Sequence, residues 1–275
     1  MPAYMGTLTL DESQNGKTIE EVGAALIAKH TIPEVVVPIK TGRRIATNMA
    51  VVLENAAHGF VRPNIMDVKL GVRLWADDAA EEKKIRFDKV TEETTHKELG
   101  FRIAGMRVWQ GHGVTGPGID EEGYKIYDKN YGRVSIHKGN VQEAFRNFIF
   151  SESAGIDEEL GKLVSQAFLA DVTRIQEVLE NQESRMFSAS LLFVFEGDGA
   201  ALRLAMEEAS RSPATLVNGD SENSDEEDDI VGPKIYVVKV IDFAHATWVP
   251  GQGPDENSLL GVRSVNKILK NLGGV

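Results

Sequence analysis

An aspartate and a lysine stand two residues apart in the run PNIMDVKLG, residues 63–71. Side chains alternate along an extended segment, so Asp67 and Lys69 point to one side and the apolar residues around them to the other. A carboxylate and an ammonium group that face one cleft can orient a hydroxyl group and neutralise a phosphate. Taken alone, the same spacing also fits a partly buried ion pair.

A second acid ends the apolar run IYVVKVI, residues 235–241. Asp242 stands where this predicted strand runs out, a place where carboxylates often hold Mg²⁺, because a hard cation prefers carboxylate and phosphate oxygens. The alternative is a carboxylate that caps the following turn. His245, three residues further on, either faces the same cleft or covers it.

Composition excludes several classes of site. The chain has 275 residues, a formal net charge of −12 and no cysteine, which rules out disulfides, zinc–thiolate sites, iron–sulfur clusters and a cysteine nucleophile. The negative charge argues against general duplex DNA binding, so no direct nucleic-acid partner is expected. No apolar run approaches the roughly 20 residues of a membrane span. We therefore expect a reducing compartment, cytoplasm or nucleus.

The negative charge is concentrated in one stretch. Residues 220–229 (DSENSDEEDD) hold seven acids and no base, inside a polar segment of about 210–232. Such a segment buries too little apolar surface to offset its ordering entropy, which predicts a disordered loop. It is either a solvating insertion or a docking segment for basic partners.

The remaining residues alternate between strand and helix periodicity. Strands are predicted at 50–53, 101–109, 191–195 and 235–241, and helices at 79–91, 141–150, 158–183, 200–209 and 258–272. Asp255 or Ser258 is the expected N-cap of the last helix. This order predicts an α+β fold, with a boundary near residues 57–63.

The ordered motifs resemble those of the inositol polyphosphate kinases. They are the P-x-x-x-D-x-K-x-G run at 63–71, SASLL at 188–192 and IDF at 241–243. Further blocks resemble the family at 2–6 (PAYMG), at the hinge 52–60, at 99–106 and at 127–133. The hinge, the K-x-Y-G-R segment and the acidic stretch before IDF are most similar to the fungal multikinases.

The resemblance implies a two-lobed fold of the protein-kinase and ATP-grasp type. Residues 1–60 are expected to form a partial, strand-rich N-terminal lobe that ends in the hinge. Residues 61–275 are expected to form a larger α+β catalytic lobe, with an inositol-binding helix at about 79–91. In this family a strand pair, a phosphate-binding lysine and a helix precede the P-x-Y-x-G strand, so we expect a chain without those elements and with weak ATP binding or no activity.

The resemblance also implies roles for individual residues. ATP and Mg²⁺ are the expected cofactors. The expected catalytic residues are Asp67, Lys69 and Asp242, with Asp242 as the metal ligand. Asp67 contacts either the ribose or the attacking hydroxyl, and Lys69 bridges the γ-phosphate and the inositol phosphates. Ser190 matches the second serine of the family's S-S-L-L pattern, whereas Ala189 replaces the first. The expected ATP contacts are Glu54, the backbone near Ala56, Asp67, Ser190 and Asp242.

An inositol trisphosphate requires several cations close together. Lys83, Arg86 and Lys89 follow at three-residue spacing on the predicted helix and are expected to converge on the substrate, beside Lys69 and His245. Lys84 is expected to point elsewhere. Without the resemblance, the same residues would be interpreted as a solvated helix surface.

The function expected from the resemblance is ATP-dependent phosphorylation of inositol 1,4,5-trisphosphate to tetrakis- and pentakisphosphates. A hexakisphosphate kinase or a narrow 3-kinase is the alternative within the family. A non-catalytic scaffold in a transcription-regulating complex is the alternative of another class. We expect inositol polyphosphates and transcription-regulating proteins as partners, a monomer, and location in nucleus and cytoplasm.

Overall fold

A computed structural model describes residues 1–9, 49–211 and 234–275 of the chain. These residues divide into two compact units, Pro2–Asn55 and Ala56–Val275, with Met1 grouped with the second. The sequence places the boundary slightly later, between residues 60 and 61. The described residues of the first unit form one antiparallel pair, β1 (Tyr4–Thr9) and β2 (Met49–Leu53).

The second unit is built on a five-stranded antiparallel sheet in the order β5-β4-β3-β7-β8. Its strands are β3 (Pro63–Leu70), β4 (Phe101–Trp109), β5 (Tyr124–Tyr127), β7 (Ser190–Glu196) and β8 (Tyr236–Ile241). A separate short pair joins β6 (Ser184–Met186) to β9 (Ala246–Trp248). Strand β3, which carries the Asp-x-Lys run, is therefore the centre of the main sheet.

Helices follow or connect these strands. They are α1 (Glu81–Glu92), α2 (His96–Leu99), α3 (Val141–Ile149), α4 (Glu158–Glu180), α5 (Gly199–Arg211) and α6 (Glu256–Gly273). Three further helical turns occur among the described residues of this unit: a π-helical turn at Tyr131–Ser135 and 3₁₀ turns at Glu152–Ala154 and Phe243–His245.

The hydrophobic core covers one face of the main sheet. Met66, Val68 and Leu70 of β3 are buried in it, together with apolar side chains from α3, α4 and α6. Its centre is aromatic: the ring of Phe168 lies 5.1 Å from that of Phe193, measured between centroids, in edge-to-face contact. Because this face is filled, side chains that alternate to the opposite face of β3 are free to form a polar site.

The structure confirms the α+β class and most of the predicted elements. The helix predicted at 158–183 ends earlier, at Glu180, because the chain turns at Asn181 and then pairs as β6. Asp255 is the N-cap of α6, and its side chain accepts a hydrogen bond from the Ser258 amide at 3.2 Å. Of the predicted acidic loop, Ser210 and Arg211 belong to α5 and residues 212–232 lie outside the described residues. No helix among the described residues has the length and apolar character to cross a membrane.

Candidate active site

Strand β3 places Asp67 and Lys69 on the same face of the sheet. Burial alternates along the whole strand, with Met66, Val68 and Leu70 in the core and the two charged residues half-buried on the other face. This is the orientation that the spacing predicts. The core therefore holds one face of β3 in place, and Asp67 and Lys69 lie on the opposite face, outside the core.

The Lys69 ammonium group contacts three acceptors from two neighbouring segments. Its Nζ lies 2.8 Å from the Ser188 carbonyl oxygen, 3.2 Å from Ser190 Oγ and 3.0 Å from Asp242 Oδ2. Ser190 is opposite Lys69 in the β3–β7 ladder and opposite Ile241 in the β7–β8 ladder. The sheet register therefore gathers the DxK, SASLL and IDF motifs at one point.

Two of these contacts come from residues with unusual backbone conformation. Ser188 and Asp242 have φ of 61° and 67°, and they are the non-glycine residues with positive φ in the part of the chain that the structure describes. Left-handed backbone at such residues carries strain that concentrates at functional sites. The Asp242 side chain accepts no hydrogen bond from the turn Phe243–His245 that follows it. Its carboxylate instead turns toward Lys69, which argues against the capping alternative.

Asp67 has a free carboxylate oxygen. Among the described residues, its buried Oδ1 has no hydrogen-bond partner. Burial raises the pKa of this carboxyl group, while a hydrogen bond with Ser190 and the charge of Lys69 act in the opposite direction. Lys69 forms its ion pair with Asp242 rather than with Asp67. The unpaired oxygen is therefore available to accept a proton or to bind a cation.

Two buried basic residues that the sequence analysis did not single out lie close to this pair. Arg102 is opposite Lys69 in the β3–β4 ladder and is only 5% exposed, and its charge partly offsets the rise that burial causes in the pKa of Asp67. His96 is fully buried, and its Nδ1 donates to the Gly71 carbonyl oxygen at 2.7 Å. An arginine within an apolar strand gives no signal from spacing alone, since only the pairing register shows which face and which neighbour it meets.

The expected substrate cations occupy different positions. Lys83 Nζ lies 3.3 Å from His245 Nε2, so these two residues, which are 162 apart in sequence, come together. Arg86 is exposed, with its guanidinium group 5.3 Å from the Phe87 ring centroid. Lys89 is exposed and pairs with Glu93 at 3.7 Å. Three-residue steps rotate each side chain by about 60° around a helix of 3.6 residues per turn, so the three cations spread over its surface.

Lys84 and the hinge residues complete the set. Lys84 contacts other groups: its Nζ lies 5.2 Å from the Trp75 ring centroid and pairs with Glu81 at 2.8 Å. Glu54 follows β2, where its amide donates to the Ala3 carbonyl oxygen at 2.9 Å. Ala56 is buried and is the first residue of the second unit. Glu54 and Ala56 thus belong to different units of the chain.

Comparisons with known proteins agree with this geometry. Residues 50–270 match the family model for inositol polyphosphate kinases. The chain belongs to the inositol polyphosphate kinase family. The match includes β3, β7 and β8, and therefore all three segments that meet at Lys69.

Individual members of the family show the same relationship. The inositol polyphosphate multikinase of Saccharomyces cerevisiae is 30% identical, over 96% of this chain and 80% of its own length. Inositol hexakisphosphate kinase 1 of Mus musculus is also 30% identical, over 80% of this chain. A crystal structure of the S. cerevisiae inositol phosphate multikinase with ADP and Mn²⁺ matches with a TM-score of 0.65 and 28% identity, and covers 98% of this chain and 88% of that one.

The family members differ in how much of their length is matched. This chain spans 80% of the yeast multikinase but only 51% of the mouse hexakisphosphate kinase. The inositol polyphosphate kinase domain is thus common to both relatives.

Proposed function

We propose that this chain transfers the γ-phosphate of ATP to hydroxyl groups of inositol polyphosphates. The observation that carries the proposal is the contact of Lys69 with Asp242 and Ser190, beside the unpaired carboxylate oxygen of Asp67. These groups lie on the open face of a sheet whose other face is filled by the core. The membership of the chain in a kinase family supports the same reaction.

Each of these residues has a role in an in-line phosphoryl transfer, where positioning and charge neutralisation supply most of the rate enhancement. The Lys69 ammonium group binds the transferred phosphate and a substrate phosphate, because it carries the positive charge at the centre of the cluster. Asp67 accepts a hydrogen bond either from the attacking hydroxyl group or from the ribose. Ser188 and Ser190 hold the Lys69 side chain in place between these partners.

The residues fit a divalent cation of the Mg²⁺ type. Asp242, the free oxygen of Asp67 and the Ser190 hydroxyl are hard oxygen donors on one face of the sheet. Mg²⁺ in kinases is held by one or two carboxylates together with substrate phosphates, so a cluster of three acidic or histidine ligands is not required. No such cluster of three ligands occurs among the described residues. When bound, the cation neutralises charge on the phosphates of ATP, and we propose Asp242 as its main ligand.

Inositol 1,4,5-trisphosphate is the substrate that we propose. Lys83 and His245 lie together near the end of β8 and supply two groups that can bind substrate phosphates, in addition to Lys69. The similarity to the yeast inositol polyphosphate multikinase, which extends over 96% of this chain, supports repeated phosphorylation to tetrakis- and pentakisphosphates. Inositol hexakisphosphate is the alternative acceptor, which the similarity to hexakisphosphate kinase 1 favours.

A kinase assay with resolved products tests the proposal. The 275-residue chain is incubated with Mg-ATP and either inositol 1,4,5-trisphosphate or inositol hexakisphosphate, and the products are separated by anion exchange. At saturating ATP, we expect tetrakis- and pentakisphosphates from the first acceptor, and none from Asp242→Asn. Weak binding of ATP would show as a high KM for ATP and would not contradict the reaction. Products from the hexakisphosphate alone would replace the multikinase by the alternative acceptor. No product from either acceptor would contradict the kinase function.

Removal of the Lys69 ammonium group gives a quantitative prediction. Lys69→Ala should lower kcat by about 10²–10³, the scale of one lost electrostatic donor in a transition state. Lys162→Ala is the matched control, because Lys162 also pairs with a carboxylate, at 3.4 Å from Glu158, but lies on α4. We expect its kcat to stay at the level of the unmodified chain. An unchanged kcat in Lys69→Ala would contradict the role assigned to this residue.

Three properties stay predictions from the resemblance: transcription-regulating proteins as partners, a monomeric state, and location in the nucleus and cytoplasm. Size-exclusion chromatography with light scattering measures the molar mass in solution and so tests the monomeric state. Microscopy of a fluorescently tagged chain tests the location.

A further inference from the structure

Helix α1 has little apolar surface to hold it against the rest of the unit. Of its twelve residues, Thr91 alone is buried, and its N-cap Ala80 provides no side-chain hydrogen bond. Ile85, on the same helix, is 68% exposed. Helices of this length are marginal in water without tertiary contacts. The position of α1, and with it the position of Lys83, must therefore depend on a few specific contacts.

Two of these contacts come from the indole of Trp75. Its Nε1 donates to Asp88 Oδ1 at 2.7 Å, and the Lys84 ammonium group lies 5.2 Å from the ring centroid. One side chain therefore holds two residues of α1 that are one turn apart. A separate hydrogen bond holds the C-terminal end of α1: the Thr91 hydroxyl donates to the Val72 carbonyl oxygen at 2.6 Å.

Trp75 is itself fixed to the segment that holds Lys69. The Arg73 guanidinium group lies 4.0 Å from the Trp75 ring centroid and 4.8 Å from that of Phe187. Ser188 Oγ donates to the Leu74 carbonyl oxygen at 2.7 Å, while the Ser188 carbonyl oxygen accepts from Lys69. The residues 72–75 therefore connect α1 on one side to the Lys69 acceptors on the other.

We propose that Trp75 is a positioning residue that fixes α1 so that Lys83 faces His245, and that it thereby sets the affinity for the inositol polyphosphate without contacting it. The proposal rests on the proposed function, because Lys83 and His245 are the substrate-phosphate groups in that function. Lys83 directly precedes Lys84, which Trp75 holds, so a loosened helix end displaces Lys83 from His245.

Two replacements of Trp75 separate its contacts. Trp75→Leu removes the hydrogen bond to Asp88 and both cation–π contacts. Trp75→Phe removes the hydrogen bond but keeps an aromatic ring for Arg73 and Lys84. Trp248→Leu is the matched control, because this indole belongs to β9 and is 69% exposed. Each variant is assayed for the KM of inositol 1,4,5-trisphosphate, the KM of ATP and hydrogen exchange of the α1 amides.

We expect Trp75→Leu to raise the KM for the trisphosphate about tenfold, the scale of one net hydrogen bond. The KM for ATP should stay within about twofold of the value for the unmodified chain. The KM of Trp75→Phe for the trisphosphate should lie between those of the unmodified chain and Trp75→Leu, because its ring keeps the cation–π contacts. Exchange at residues 81–92 should become faster in Trp75→Leu and not in Trp248→Leu.

Two results would overturn the proposal. One is an unchanged KM for the trisphosphate with unchanged exchange of α1. The other is an equal rise of both KM values with faster exchange throughout the chain, which would mean general destabilisation. A wild-type chain that transfers no phosphate would contradict the proposed function, whereas the exchange comparison would still decide whether Trp75 fixes α1.

Discussion

Several polar groups around Lys69 have fewer hydrogen-bond partners than buried groups usually do. Five buried side-chain atoms of the described residues have no partner, and three of them belong to Asp67, His96 and Arg102. These residues also affect one another electrostatically: Arg102 contributes to the pKa of both Asp67 and His96. Buried polar atoms without partners are rare in proteins, so their concentration here marks a site that is built for a ligand or ordered water.

His96 makes the stability of the chain depend on pH. Its Nδ1 donates to Gly71, so the buried Nε2 is the unprotonated nitrogen. Burial, and next the charge of Arg102, lower its pKa from 6.5 to about 3. As the pH falls from 6.5 toward 3, the unfolded chain binds a proton that the folded chain does not, so the free energy of unfolding falls by up to about 1.4 kcal/mol per pH unit.

The prediction is tested with His96→Asn, whose amide can donate to Gly71 but does not titrate. Urea denaturation between pH 7 and pH 4.5 should show a steeper loss of stability in the unmodified chain than in the variant. All other titrating groups are common to both proteins, so the difference between the slopes belongs to His96. Equal slopes would mean that His96 binds its proton in the folded chain as readily as in the unfolded one.

At the scale of elements, the close contact of the π-helical turn Tyr131–Ser135 with β4 supports the centre of the sheet. A β-carbon on Gly132 would lie 1.8 Å from the Ile103 carbonyl oxygen. Ile103 adjoins the irregular step in the β3–β4 ladder, between the pairs Asp67–Gly105 and Val68–Ile103. Because Gly132 has no side chain, the turn packs directly against β4, the strand that pairs with Asp67 of β3.

Gly132→Ala should destabilise the chain by about 1–3 kcal/mol, because the backbone atoms in contact cannot move without disturbing the ladder. Gly116→Ala is the control: its β-carbon would meet Ile119 Cδ1 at an ordinary 3.6 Å, and its φ is not positive. Its stability should stay within about 0.5 kcal/mol of the unmodified chain. Equal urea midpoints for the two variants would show that the turn moves away at no cost.

The sequence predicts those parts of the fold that periodicity and spacing determine. Strand β4 occurs at the predicted residues, and the alternation in β3 correctly predicts which face carries Asp67 and Lys69. The three-residue strands β6 and β9 are too short to show a period, and they form because they pair with each other. The neighbours of Lys69 also depend on pairing, so Arg102 becomes apparent only from the register of β3 and β4.

The cations of α1 show the same limit of local spacing. The helix itself is predicted within two residues at its start and one at its end, but its rotation depends on contacts with Trp75. These contacts bring Lys83 to His245 and leave Arg86 and Lys89 exposed. Helix periodicity predicts which residues share a face, whereas tertiary contacts determine which face meets the site.

At the scale of the whole molecule, a negatively charged protein must attract a substrate with several phosphates. The formal net charge is −12, and seven of the negative charges lie within residues 220–229. Lys69 and Lys83 provide local attraction, which acts over short distances, while the net charge acts over a Debye length of about 30 Å at 0.01 M salt. The acidic run should therefore slow the approach of the substrate when the ionic strength is low.

Neutralising the acidic run tests this balance. Replacement of its seven acids by Asn or Gln changes the formal net charge from −12 to −5. We expect the KM for inositol trisphosphate to fall about threefold at 0.01 M salt, and the difference to disappear near 0.15 M, where the Debye length is about 8 Å. The control replaces Ser221, Asn223 and Ser224 by Ala, which alters the same run without altering its charge. A KM that is equal in the two variants at low salt would mean that the field of the acidic run does not reach the site.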